Sequence, residues 1–197
     1  DTGSAVAHAF HNIPGVQVIV LFPFAEVSVS QRKLMTALTG NVRTVAIDGK
    51  FDDCQAMVKA MFADEAFRLA MNLSAINSIN WARIAAQTVY YAAACAALGG
   101  GAGGRKISFA VPTGNFGNVY AAYAARRCGL PVDRLVIGTN RNDIITRFFE
   151  TGSMRAETVT PTLSPSMDIQ ISSNFERYLF ELLDRDAAAL RGHMQDF

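Results

Sequence analysis

Short apolar runs alternate with longer helix-patterned stretches along this chain, and that alternation restricts its fold more than any other feature. Residues 16–22 form a continuous apolar run bounded by Pro14-Gly15 and Pro23. A run of this kind is expected of a strand covered on both faces. Residues 42–47, 107–111 and 135–138 read as further strands. Helical patterning falls between and around them, over 2–10, 30–39, 52–64, 76–98, 118–128, 143–150 and 174–190. Strands alternating with helices build βαβ units, so an α/β fold with mostly parallel sheets is expected. Ligands of such sheets gather beyond the carboxyl ends of the strands.

Half of the 197 residues are apolar and 18% are charged, a balance that suits a packed core. The net charge is +1, with no basic patch or acidic tail, which predicts neither nucleic acid nor an anionic membrane as a partner. No apolar run is long enough to span a bilayer. The chain opens at Asp1 without a start methionine, and a segment upstream could carry a targeting signal. Cys54, Cys95 and Cys128 lie far apart without metal-type spacing and read as buried, reduced thiols of a cytoplasmic protein. His8 and His11 are three residues apart but lack a third ligand, so they read as a surface or domain-contact pair.

The chemistry concentrates in Pro112-Thr113-Gly114-Asn115-Phe116-Gly117-Asn118, which follows a predicted strand and precedes a predicted helix. Glycines let the backbone turn so that several N–H groups can converge, and a helix start adds partial positive charge. Together they make an anion site that needs no lysine. An ordinary Gly/Asn turn is the alternative. No Gly-Lys-Ser/Thr follows, so this is not a nucleotide P-loop. Gly99, Gly101 and Gly104 match a dinucleotide fingerprint in letters, but they follow a helix and precede a strand, the opposite of the required order. On the long predicted helix 76–98, Trp81, Ile84, Ala85, Thr88, Ala92 and Cys95 share a side expected to face the core. Asn80, Arg83 and Gln87 fall on another side, with Asn77 at its margin. A cation flanked by amides could grip an anionic group, and a solvated face is the alternative.

Five segments in order resemble the threonine synthases, pyridoxal-phosphate enzymes of the tryptophan-synthase-β-like fold (fold type II). They are Asp1-Thr2-Gly3-Ser4-Ala5; Phe51-Asp52-Asp53-Cys54-Gln55; Asn77-Ser78-Ile79-Asn80-Trp81-Ala82-Arg83; Val111 through Asn118; and Leu163-Ser164-Pro165-Ser166-Met167-Asp168-Ile169. The resemblance implies an incomplete three-layer, parallel-sheet α/β architecture. Residues 1–75 would belong to a smaller domain and 76–197 to a larger, cofactor-phosphate-binding one. It implies pyridoxal 5'-phosphate as cofactor, bound by Thr113, Gly114, Asn115, Phe116, Gly117, Asn118 and Asp1. It implies substrate contacts from Thr2, Gly3, Ser78, Asn80 and Arg83. The implied reaction is carbon–oxygen lyase chemistry, turning O-phospho-L-homoserine and water into L-threonine and phosphate, the last step of threonine biosynthesis.

That chemistry needs a lysine forming a Schiff base with the cofactor aldehyde. Lys33 and Lys59 fall on amphipathic helices, Lys50 in a turn, and Lys106 after the glycine run; none has the apolar setting the family uses. The family's lysine is expected upstream of Asp1, and the partner of the pyridine nitrogen beyond Phe197. The piece alone is therefore expected to be inactive. A serine/threonine dehydratase-like enzyme of the same fold and a noncatalytic relative are the alternatives. Ser164 through Asp168 either lines the site or forms a rigid turn held by Pro165.

Overall fold

The structure, a computed structural model, describes residues 2–25, 27–49, 51–76 and 80–194. It divides into two compact units, Asp1–Asn77 and Ser78–Phe197. The first holds α1 (Thr2–Ala9), β1 (Val18–Pro23), α2 (Val29–Thr36), β2 (Val42–Ile47), α3 (Phe51–Ala63) and α4 (Glu65–Ala70). β1 and β2 pair in parallel, from Val18 opposite Val42 to Pro23 opposite Ile47, with α2 in the connection. Ser28 starts α2 through a capping box: its hydroxyl accepts from the Gln31 N–H, and the Gln31 side chain accepts from the Ser28 N–H. That pair sets the start of α2 at Val29.

Ala7, Val18, Val20, Phe22, Met35 and Val42 form the core of this unit. A Cβ at Gly3 would sit 2.9 Å from Val20 Cγ1, so α1 reaches β1 this closely because Gly3 has no side chain. Burial along β1 follows the two-residue period of a strand, with Val18, Val20 and Phe22 inside and Ile19 62% exposed. The expectation of two covered faces therefore does not hold for β1 among the described residues. Helix α4 was not expected; Asp64 creates it by accepting the Phe67 N–H at 2.9 Å.

The second unit holds α5 (Trp81–Ala97), β3 (Ile107–Pro112), α6 (Gly117–Arg127), β4 (Val132–Gly138), α7 (Ile144–Thr151), α8 (Phe175–Leu182) and α9 (Ala187–Met194). Short 3-10 turns lie at Ala102–Gly104 and Pro165–Met167. β3 and β4 are parallel, with α6 between them, and the register slips between Ile107 and Phe109. Their core joins Val111 and the buried side of α6 to Ile84 and Tyr91 of α5, Ile144 and Ile145 of α7, and Phe175 and Leu179 of α8.

Two long predicted helices are corrected. The one expected over 76–98 begins at Trp81, because the Asn80 side chain accepts the Ala82 N–H at 2.9 Å and caps it there. Its buried stripe is Ile84, Tyr91 and Cys95; Trp81 is 53% exposed, and Ala85 and Ala92 face outward. The one expected over 174–190 breaks at Asp184 and Arg185, both at positive φ. Asp186 then restarts the chain as α9 by accepting from the Ala188 and Ala189 N–H groups. No described helix is long and apolar enough to cross a membrane.

One polar side chain ties the first unit's loops together. Asn41 Nδ2 donates to the carbonyls of Phe10 and Val16, at 2.8 and 3.0 Å, and its Oδ1 accepts the Asn12 N–H at 2.7 Å. Asn41→Ala leaves these groups without their partner, at a cost of about 1–3 kcal/mol. Asn41→Asp loses the two donated bonds and is expected to be similarly destabilised. Denaturant unfolding of both variants measures this, and an aspartate variant as stable as the wild type would contradict it.

Candidate functional site

The loop between β3 and α6 leaves the sheet at the carboxyl end of β3. Thr113, 5% exposed, follows the last strand residue but is still tied to the sheet, since its N–H donates to the Gly138 carbonyl at 2.8 Å. Phe116 then adopts φ +60°, a left-handed conformation that a bulky residue rarely takes. Its ring is 2% exposed and packs edge-on against Phe175, at 5.0 Å between centroids, and beside Tyr178 at 5.6 Å. The Phe116 carbonyl accepts the Tyr120 N–H and opens α6.

Donors and acceptors of this loop are treated unequally. The Gly114 carbonyl accepts from Ser172 Oγ at 2.8 Å. The Asn115 carbonyl accepts from both the N–H and the Nδ2 of Asn174, at 3.1 and 3.0 Å. Ser173 Oγ donates to Asn115 Oδ1 at 3.1 Å. The backbone N–H groups of Gly114, Asn115, Phe116, Gly117, Asn118 and Val119, by contrast, donate to no acceptor among the described residues. Uncommitted amides at a helix N-terminus, next to a residue in the left-handed conformation, are the elements of an anion site. A Cβ at Gly114 would fall 3.2 Å from both Ile169 Cδ1 and the Met167 backbone, so the loop and the Pro165–Met167 turn are in close contact.

Two polar clusters support the loop. Tyr91 of α5 places its hydroxyl 2.9 Å from Asn118 Oδ1 and 3.1 Å from the Asn118 carbonyl. Burial pushes this phenol up to about 12, so it stays neutral and acts as a donor. Behind the turn, Asp168 Oδ1 accepts from Asn140 Nδ2, Asn142 Nδ2 and the Thr162 hydroxyl at 2.7, 3.0 and 2.6 Å. Asp168 Oδ2 accepts the Thr162 N–H at 2.7 Å. Burial pushes the Asp168 carboxyl up, but the bonds from Thr162, Asn140 and Asn142 outweigh it and hold the group below its ordinary value. Arg147 of α7 adds ion pairs to Asp143 and Glu157, each at 2.9 Å, and a bond to Gln170 at 3.0 Å.

A family model described as pyridoxal-phosphate dependent enzyme matches residues 1–192. The chain belongs to that family. It is 50% identical over 191 residues to the threonine synthase of Pseudomonas aeruginosa, covering 96% of this chain and 40% of that protein. It is 46% identical to the threonine synthase of Saccharomyces cerevisiae, covering 92% and 36%. A crystal structure of PLP-bound threonine synthase from Brucella melitensis superposes with a TM-score of 0.87 at 52% identity, covering 99% of this chain and 42% of that one. Threonine synthase from Escherichia coli superposes at 0.82 and 41% identity, covering 94% and 44%. The chain thus spans well under half the length of these relatives.

The residues present fit the phosphate of a family cofactor. The loop offers several N–H donors uncommitted among the described residues, a glycine where a Cβ would be tightly crowded, and a helix start. Thr113, Gly114, Asn115, Phe116, Gly117 and Asn118 come together here. Asn80 and Arg83 lie at the start of α5, where Trp81 meets Tyr120 of α6 edge-on at 6.3 Å. Thr2 and Gly3 form the first turn of α1 in the other unit. Asp1, Asn77, Ser78 and Lys50 lie outside the described residues. Lys33, Lys59 and Lys106 are exposed.

Sequence reasoning missed Tyr91 and the Ser172-Ser173-Asn174 segment. The signal in the latter was ambiguous, since Ser and Asn ahead of an apolar stretch read simply as a helix cap. Asn174 does occupy the cap position of α8, but its side chain makes no capping bond.

Asp168→Asn puts an amide N–H where an acceptor is needed, and we expect a loss of about 1 kcal/mol or more. The sign with pH follows from the depressed folded value. The wild-type advantage is complete above the unfolded carboxylate value of about 3.9 and is lost as pH falls through the lower folded value. The stability difference between wild type and variant should therefore shrink in acid, as measured by denaturant unfolding at a series of pH values. A difference that stayed constant down to strongly acidic pH would contradict it.

Proposed function

We propose that this chain forms the cofactor-phosphate-binding part of a threonine synthase, acting on O-phospho-L-homoserine and water to give L-threonine and phosphate. The observation that carries this reading is the row of uncommitted N–H groups from Gly114 to Val119, in a chain with close threonine synthase relatives. In this reading the backbone of Gly114, Asn115, Phe116, Gly117 and Asn118 holds the phosphate of pyridoxal 5'-phosphate, with Thr113 anchoring the loop to β4. Pyridoxal phosphate, when bound, supplies an electron sink beside the substrate amine. The N-terminus of α6 offsets the phosphate charge without a cation.

The same reading gives Asp1 to the cofactor, and Thr2, Gly3, Ser78, Asn80 and Arg83 to the substrate. A guanidinium flanked by amides suits a phosphate that must be gripped and then released as a leaving group, because it stabilises charge as it develops there. Residues 1–75 would belong to the smaller domain and 76–197 to the larger. The lysine base would come from outside residues 1–197, a view supported by the exposed settings of Lys33, Lys59 and Lys106. Two buried thiols outside any disulfide, Cys54 and Cys95, support a cytoplasmic location; Cys128, expected to be buried as well, is exposed.

Phosphate release from O-phospho-L-homoserine by the full-length protein tests the activity; no release from a folded, cofactor-loaded protein would reject it. Gly114→Val forces a side chain against Ile169 and Met167, and the full-length variant is expected to lose bound cofactor on dialysis. Arg83→Ala should raise KM for the phosphorylated substrate or lower kcat, by about tenfold or more for a lost charge-assisted pair. Borohydride reduction with peptide mapping locates the cofactor-bound lysine, expected outside residues 1–197.

A further inference from the structure

Each peptide unit is a rigid plane in which a trans carbonyl and the following N–H point in opposite directions. Whatever fixes one therefore aims the other. The Gly114 carbonyl shares its plane with the Asn115 N–H, and the Asn115 carbonyl shares its plane with the Phe116 N–H. Ser172 Oγ holds the first carbonyl at 2.8 Å, and two Asn174 donors hold the second at 3.1 and 3.0 Å. The third carbonyl, of Phe116, is held by the Tyr120 N–H, which aims the Gly117 N–H back out of the helix start. The clamp comes from a segment 58 and 59 residues further along the chain, so local turn geometry does not supply it.

Asn174 makes the case specific. It sits at the N-cap position of α8, is fully buried, and makes no side-chain capping bond to its own helix. Its Nδ2 reaches the Asn115 carbonyl instead, while its Oδ1 accepts from Arg177 Nε at 3.3 Å. Ser172, 6% exposed, likewise gives its hydroxyl to the loop.

We infer that Ser172 and Asn174 are positioning residues: by pinning the carbonyls of Gly114 and Asn115, they turn the N–H groups of Asn115 and Phe116 toward the cofactor phosphate. This rests on the phosphate-cradle reading above. It assigns neither residue a contact with the cofactor.

The test compares two probes in the full-length protein, pyridoxal 5'-phosphate and pyridoxal, which differ only in the phosphate. Their dissociation constants are measured by equilibrium dialysis for wild type, Ser172→Ala, Ser172→Cys and Ser172→Thr. Loss of one loop-orienting hydrogen bond should weaken pyridoxal 5'-phosphate binding by about five- to tenfold in the alanine variant. Pyridoxal binding should stay within about twofold, the limit expected if the phosphate contacts alone are disturbed. Threonine keeps the hydroxyl and should restore the wild-type preference. Cysteine fills the same space with a weak donor and should behave like alanine; it carries the test if the alanine variant does not fold. Equal weakening of both probes would reduce Ser172 to a structural role and overturn the inference. So would an unchanged preference for the phosphorylated probe in a folded variant. A wild type that binds both probes equally would overturn the phosphate-cradle reading itself.

Discussion

A left-handed backbone at Phe116 is the constraint on which the site depends. A bulky residue at φ +60° costs roughly 1–3 kcal/mol and persists only when its surroundings over-determine it. Here they do so from two directions. The ring is buried against Phe175 and Tyr178 of α8, which anchors the side chain. The carbonyl is committed to the first turn of α6, which anchors the backbone. Relaxing Phe116 to an ordinary conformation would pull the ring from the core or disrupt the helix start. The uncommitted N–H groups around it are thus held in place by packing energy drawn from α8.

The polar support behind the loop is built to carry charge without a cation. Asp168 is held by donors from Asn140, Asn142 and Thr162, which lowers its proton affinity although burial acts the other way. Hydrogen bonds from neutral groups satisfy the carboxylate without adding a mobile positive charge beside the turn that touches Gly114. Arg147 is occupied by Asp143, Glu157 and Gln170 on the α7 side of the same segment. The charged groups therefore tie the 155–170 stretch down at several points, and the stretch in turn leads directly into the Ser172–Asn174 clamp.

Much of this was legible in sequence where the signal is local. The strand at 42–47 and the strand–glycine–helix order around Gly114 depend on hydrophobic period and turn chemistry, and both appear where those rules place them. The loop's glycines and its place after a strand raise an anion site as an expectation, beside the alternative of an ordinary Gly/Asn turn. What could not be read was either masked by neighbouring pattern or non-local. Asn80 and Asp64 each carry a cap signal, but a continuous helical pattern masks that of Asn80, and Asp64 reads as the end of the preceding helix. The break at Asp184-Arg185 uses two consecutive non-glycine residues at positive φ; aspartate visits that region at times, but arginine after it gives no sequence signal of a break. The clamp joins Gly114 to Ser172 across the fold, and spacing alone carries no trace of it.

Holding a phosphate by backbone amides, as proposed, would also have a chemical consequence. A cofactor aldehyde reacts with any nearby unprotonated amine, so a lysine in the cradle would compete with the lysine that must do chemistry. The loop from Pro112 to Asn118 contains neither lysine nor arginine. Peptide N–H groups are not nucleophiles, and dipoles fixed before an anion arrives would need little reorganisation on binding. A guanidinium such as that of Arg83 likewise offers no free amine lone pair, because its nitrogen electrons are delocalised over the planar group. The two kinds of phosphate that the proposed reaction must hold, one permanent and one leaving, would then be bound without placing a spare amine beside the aldehyde.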